Sequence, residues 1–83
     1  MQVSIEISMY PLNEEYKVSI LAFLKRLNSH PELTVETNGM STQIFGEYAV
    51  VMSVLTKEMA WSFENDGKIV FVMKVINAHL QQS

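Results

Sequence analysis

Cysteine is absent from the 83-residue chain, which removes disulfide frameworks, thiolate metal sites and a cysteine nucleophile together. Basic residues are few: six Lys plus Arg against nine Asp plus Glu leave a net charge of −3, so the basic footprint that duplex binding demands is missing. The three glycines stand singly at 39, 46 and 67, and no glycine-rich phosphate loop can be built from them. Apolar runs such as Ile20-Leu21-Ala22-Phe23-Leu24 and Ile69-Val70-Phe71-Val72-Met73 fall far short of the roughly 20 residues that span a bilayer. The opening Met1-Gln2-Val3-Ser4-Ile5-Glu6 has no basic start, so no signal peptide is expected. The sequence predicts a soluble cytoplasmic protein without nucleic-acid or membrane partners.

Apolar residues are plentiful, at 48% against 18% charged, which points to a folded chain rather than a disordered one. The length suits one small domain over residues 1–83, with any site on its single core or at an oligomer interface.

Residues 2–10 alternate, with Val3, Ile5, Ile7 and Met9 on one face and Gln2, Ser4, Glu6 and Ser8 on the other. Period two with β-branched residues predicts a half-buried strand. Pro11 cannot donate to a sheet ladder and breaks it. Asn13 is positioned to cap a helix with Glu14 and Glu15 in its first turn, where the dipole favours carboxylates. Ile20, Leu21, Phe23, Leu24 and Leu27 supply its apolar stripe, and Pro31 ends it by disfavouring helical geometry at His30. A second strand is expected over 33–37 and a third over 40–45. Between them Asn38-Gly39 suits a type I′ hairpin, whose central residues need positive φ. Tyr48, Val51, Met52, Leu55, Met59 and Phe63 recur at helical spacing over 47–65, and Asn65-Asp66-Gly67 is a C-terminal stop. Residues 68–77 form the most apolar strand, either face of which could be the buried one, and 78–83 form a short tail.

The order β-α-β-β-α-β places both helices on one face of a four-stranded antiparallel sheet, the ferredoxin-like α+β arrangement. In it the end of the first strand, the hairpin, the start of the first helix and the end of the second share one end of the molecule. Thr37 and Thr42 then tip two hydroxyls toward the helices at the mouth of an apolar core, and buried hydroxyls require partners. Two readings stay open: each threonine merely ends its strand on a main-chain carbonyl, or a small-molecule pocket lies between sheet and helices. Tyr10, Asn38, Ser41 and Tyr48 stand near enough to contribute to such a pocket. Glu6 lies mid-strand on the opposite face, either solvated or buried against a second copy. With Val70, Val72 and Phe45 outward, that face would suit an oligomer interface.

Catalytic constellations are not apparent. His30 falls at the end of the sheet opposite the hairpin, so no serine has a credible base. Neither His30 nor His79 has a ligand-spaced neighbour, and metal binding is not expected. The six methionines suit gap-filling in the core.

Two strings are distinctive: Val3-Ser4-Ile5-Glu6-Ile7-Ser8-Met9-Tyr10-Pro11-Leu12, and Thr37-Asn38-Gly39-Met40-Ser41-Thr42-Gln43-Ile44-Phe45-Gly46-Glu47-Tyr48. Together they resemble the thiamin-binding YkoF-like family, related to the small MTH1187/YBL001c-type proteins, over about residues 2–77. The resemblance implies a ferredoxin-like domain assembled into a homodimer or homotetramer, binding thiamin or its hydroxymethylpyrimidine moiety without chemistry on it and without a cofactor. It assigns Thr37, Asn38, Ser41 and Thr42 to hydrogen bonding, Met40 and Tyr10 to the walls, and Glu6 to a carboxylate contact. The expected function is therefore a non-enzymatic carrier or buffer in vitamin salvage. An oligomeric regulatory or protein-interaction module without a small ligand is the alternative, and an enzyme the third.

Overall fold

The computed structural model describes residues 1–81; the last two residues of the expected tail, 82–83, lie outside the described residues. The elements are β1 (Gln2–Pro11), α1 (Tyr16–Asn28), β2 (Thr34–Thr37), β3 (Thr42–Glu47), α2 (Tyr48–Asp66) and β4 (Ile69–Ile76). The strands form one antiparallel sheet in the order β2-β3-β1-β4, the ferredoxin-like fold.

Alternation in β1 decides the layers. Val3, Ile5 and Ile7 are buried against α1 and α2 with Phe23, Leu27, Ile44, Val51 and Leu55. Cross-strand pairing of Ile5 with Val75, Ile7 with Met73 and Met9 with Phe71 settles the ambiguity in β4. Its odd-numbered residues face the helices, while Val70, Val72, Lys74 and Ile76 face outward.

The helices differ from the expected stripes. Leu21 is 66% exposed, and Ser19 occupies the buried position instead. On α2 the buried face runs Val51, Val54, Leu55, Glu58 and Ser62, leaving Tyr48 and Phe63 exposed. Small Ser19 and Ser62 are both fully buried. Nor does Asn13 cap α1, which starts three residues later, after Glu15, with no side-chain cap bond and no acidic residue in its first turn. The Asn13 amide instead donates to the Asp66 carbonyl at 3.0 Å and ties the start of α1 to the end of α2. The boundaries of α2 have firm causes at both ends. Glu47 caps it by accepting from the Val50 amide at 3.1 Å, and Gly67, with φ +80°, lets the chain turn away.

The hairpin is closed differently from the expected I′ turn. Thr37 pairs with Thr42 rather than Met40, and neither Asn38 nor Gly39 has positive φ. The Asn38 side-chain oxygen accepts from the amides of Met40 and Ser41, at 2.8 and 3.0 Å, and this Asx turn replaces a left-handed backbone. The register moves by two residues, which preserves the facing of every side chain. Thr37 and Thr42 therefore still face inward.

Glu58 is buried between the helices. Its Oε1 accepts from Arg26 Nε and Nη2 at 3.1 and 2.9 Å, and its Oε2 lies 3.2 Å from His30 Nε2. The Arg26 guanidinium stacks 4.3 Å from the centroid of the Trp61 ring. Burial pushes the carboxyl pKa up, but the hydrogen bonds from Arg26 and His30 and their charges outweigh it and hold Glu58 below its ordinary value of 4.5.

Across the outer face, the segment after β4 folds back over β1 and β3. Ser4 Oγ donates to the Ala78 carbonyl at 2.7 Å and accepts from the Leu80 amide at 2.8 Å. The His79 ring meets Phe45 edge-on at 5.9 Å. Phe45 does point outward but is only 4% exposed, so it is not part of a bare face. No helix among the described residues is long and apolar enough to cross a membrane.

Candidate functional site

A cleft of about 550 Å³ opens where the end of β1, the first turns of α1 and the hairpin meet. The three walls have different chemistry. Strand β1 supplies Ile7 and Met9 from its inner face, with Pro11 and Leu12 as it exits. Helix α1 supplies Tyr16, Ile20, Phe23 and Leu24, at the i, i+4, i+7 and i+8 positions of one helical face. The hairpin supplies Thr37 to Thr42, a run of hydroxyls, an amide and one thioether.

The floor is rigid and the rim is open. Ile7, Phe23 and Thr42 are buried, whereas Tyr10, Leu12, Tyr16 and Met40 are exposed, Met40 by 88%. Phe23 is backed by Phe71, with ring centroids 5.0 Å apart, so the aromatic floor is fixed from behind by β4. The hydroxyls of Thr37 and Thr42 lie 3.3 Å apart, and either can donate to the other. Each threonine oxygen thus has one partner and keeps further hydrogen-bonding capacity. Among the described residues neither is bonded to a main-chain carbonyl, as threonines that merely end their strands would be.

Six of the seven sequence-assigned residues therefore meet: Thr37, Asn38, Met40, Ser41, Thr42 and Tyr10 all line this cleft. Glu6 does not join them. It faces outward, pairs across β4 with Lys74 (Oε1 to Nζ 3.7 Å), and lines a separate shallow depression of about 660 Å³ with Glu36, Gln43, Phe45 and Leu80. Tyr48 is also remote: it begins α2 beside Met1, whose carbonyl accepts its amide at 2.9 Å, at the other end of the sheet. The wall from α1 escaped the sequence reading, although Tyr16 lies one turn before Ile20 on the same stripe and could have been found by extending it. Among the described residues no three His, Asp or Glu side chains converge as metal ligands.

No protein-family model matches this sequence, and no curated protein does. Solved structures do resemble it. Protein SP2199 of Streptococcus pneumoniae superposes with a TM-score of 0.87 at 18% identity, over 96% of this chain and 90% of that one. Protein TM0486 of Thermotoga maritima, provisionally assigned to thiamine biosynthesis or salvage, gives 0.85 at 14% identity, over 98% and 90%. A domain of unknown function, DUF77, from Bacillus cereus gives 0.76 at 17% identity, over 95% and 78%. What this chain shares with all three is the fold.

Proposed function

We propose that the cleft binds thiamin, or its hydroxymethylpyrimidine moiety, as a carrier or buffer that performs no chemistry on it. One observation carries the reading: inward-facing Thr37 and Thr42 share a cleft of about 550 Å³ with an aromatic and aliphatic wall, the usual make-up of a small-molecule site. An aminopyrimidine offers an amino donor beside ring-nitrogen acceptors, which hydroxyls can meet in either sense. The Asn38 oxygen is committed to the turn, so its NH₂ is the group it has to offer a ligand. Phe23, Met40 and Tyr16 suit the flat face of the ring, and exposed Tyr10 and Tyr16 suit a cationic thiazolium. Hydroxyls, an amide and phenols line the cleft, which favours binding over proton transfer near neutral pH. No cofactor or metal enters the reading. The thiamine assignment of the Thermotoga protein of like fold accords with it.

Titration calorimetry and thermal shift with thiamin and with hydroxymethylpyrimidine test the proposal. Saturable heat is expected, with stabilisation of about 2.7 kcal/mol at 100 times the Kd. No heat and no shift at millimolar ligand would refute it.

A second reading, an oligomeric regulatory or interaction module without a small ligand, is favoured by the outer face, where Val70, Val72 and Ile76 are each about half exposed. Sedimentation decides whether the chain is a homodimer or homotetramer. Assembly without any thiamin response would favour this second reading.

A further inference from the structure

The cleft is electrically unusual for an anion site. Among the described residues, none that lines it is Asp, Glu, Lys, Arg or His. Pockets for phosphate esters meet the ligand charge, about −1.5 to −2 at neutral pH, with Arg or Lys or with convergent main-chain amides. Three such amides in the hairpin are already engaged. Those of Met40 and Ser41 donate to the Asn38 side chain, and that of Asn38 donates to the Ser41 carbonyl at 3.0 Å.

The amino end of α1, which begins at Tyr16 on the cleft wall, supplies some positive potential. Glu14 and Glu15 stand immediately before it and offset it. Around the rim, Lys17 has its Nζ 6.0 Å from the Tyr16 ring centroid. Lys68 and Asp66 lie beside the β1 exit, their carbonyls accepting from the Leu12 amide and the Asn13 side chain. Glu14 and Glu15 before the helix thus outnumber Lys17 on it, and the chain as a whole carries −3.

We infer that the cleft selects by charge, taking the unphosphorylated, neutral or cationic form of its heterocycle and rejecting the phosphate ester. The inference rests on the thiamin-binding reading above and adds a specificity to it. A phosphate brought to this site loses solvation without gaining a charged partner, and it meets a field of its own sign.

Calorimetric titration of the full chain with thiamin and with thiamin monophosphate, at equal ionic strength, gives the test. Thiamin should bind at least about tenfold more tightly, and the gap should narrow as added salt screens the acidic rim. Met40→Arg places a guanidinium at the rim, on a side chain that is 88% exposed and therefore dispensable to the core. It should raise monophosphate affinity relative to thiamin. Equal affinities in the unaltered chain, or an unchanged ratio in Met40→Arg, would overturn the charge selection and leave thiamin binding intact. If neither compound gives heat, the binding reading fails and the inference falls with it.

Discussion

Arg26 and Glu58 stand 32 positions apart in sequence, yet two guanidinium nitrogens converge on one oxygen of a carboxylate that is only 2% exposed. This pair couples α1 to α2 inside the helix layer. Removing one member of a buried pair strands the other, although Arg26 keeps about a third of its surface in water and can partly recover solvation. Glu58→Ala should therefore cost about 1.5–3 kcal/mol, read as a lower urea midpoint with an unchanged m-value. A loss below about 0.5 kcal/mol would show that the network contributes little.

Acid should erase that contribution. The folded-state pKa of Glu58 is held below its ordinary value, so the unfolded chain takes up the proton first as pH falls. The stabilisation is complete above the unfolded pKa and is lost as pH drops through the folded one. Urea midpoints measured from pH 7 down to pH 3 should show the gap between the parent chain and Glu58→Gln shrinking in acid. A gap independent of pH would contradict the assignment.

These two residues also mark where sequence patterning stops. The strand alternation of Val3, Ile5 and Ile7 was legible because each apolar residue has one place to go. On helix α2 the expected stripe placed Val51 and Leu55 correctly, but the buried face is rotated from it, leaving Tyr48 and Phe63 exposed and taking in Glu58 and Ser62. A buried carboxylate is admissible only because Arg26 and His30 meet it from another helix, and that meeting is a tertiary event. The hairpin half of the cleft was similarly readable, since a two-residue register change keeps facing intact. The α1 wall depends on how a helix rotates against the sheet, which local spacing does not state.

Gly46 faces a packing limit. A Cβ there would come 2.9 Å from Val51 Cγ2, on a β-branched side chain that is fully buried and has little rotamer freedom. Gly46→Ala should destabilise by about 1–3 kcal/mol through overpacking. The combination with Val51→Ala should lose less than the sum of the two single changes; strict additivity in urea unfolding would argue against the clash.

Thr42→Val separates ligand contact from scaffold. The hydroxyl it removes bonds to Thr37 at 3.3 Å, and exposed Thr37 can turn to water, so stability should fall by no more than about 1 kcal/mol. Thiamin affinity should drop about tenfold, the worth of one buried hydrogen bond of about 1.4 kcal/mol. If melting temperature and affinity fall together, the threonine pair is a structural clasp.

The hydroxyl of Ser4, held from both sides by Ala78 and Leu80, makes the chain its own lining for the far side of the sheet. Residues 78–81 occupy ground that a second protomer would otherwise have to cover, directly over the Phe45 ring. Among the described residues Val70 and Val72 lie open on the opposite flank, so contact between copies there and closure of the tail need not compete for the same ground.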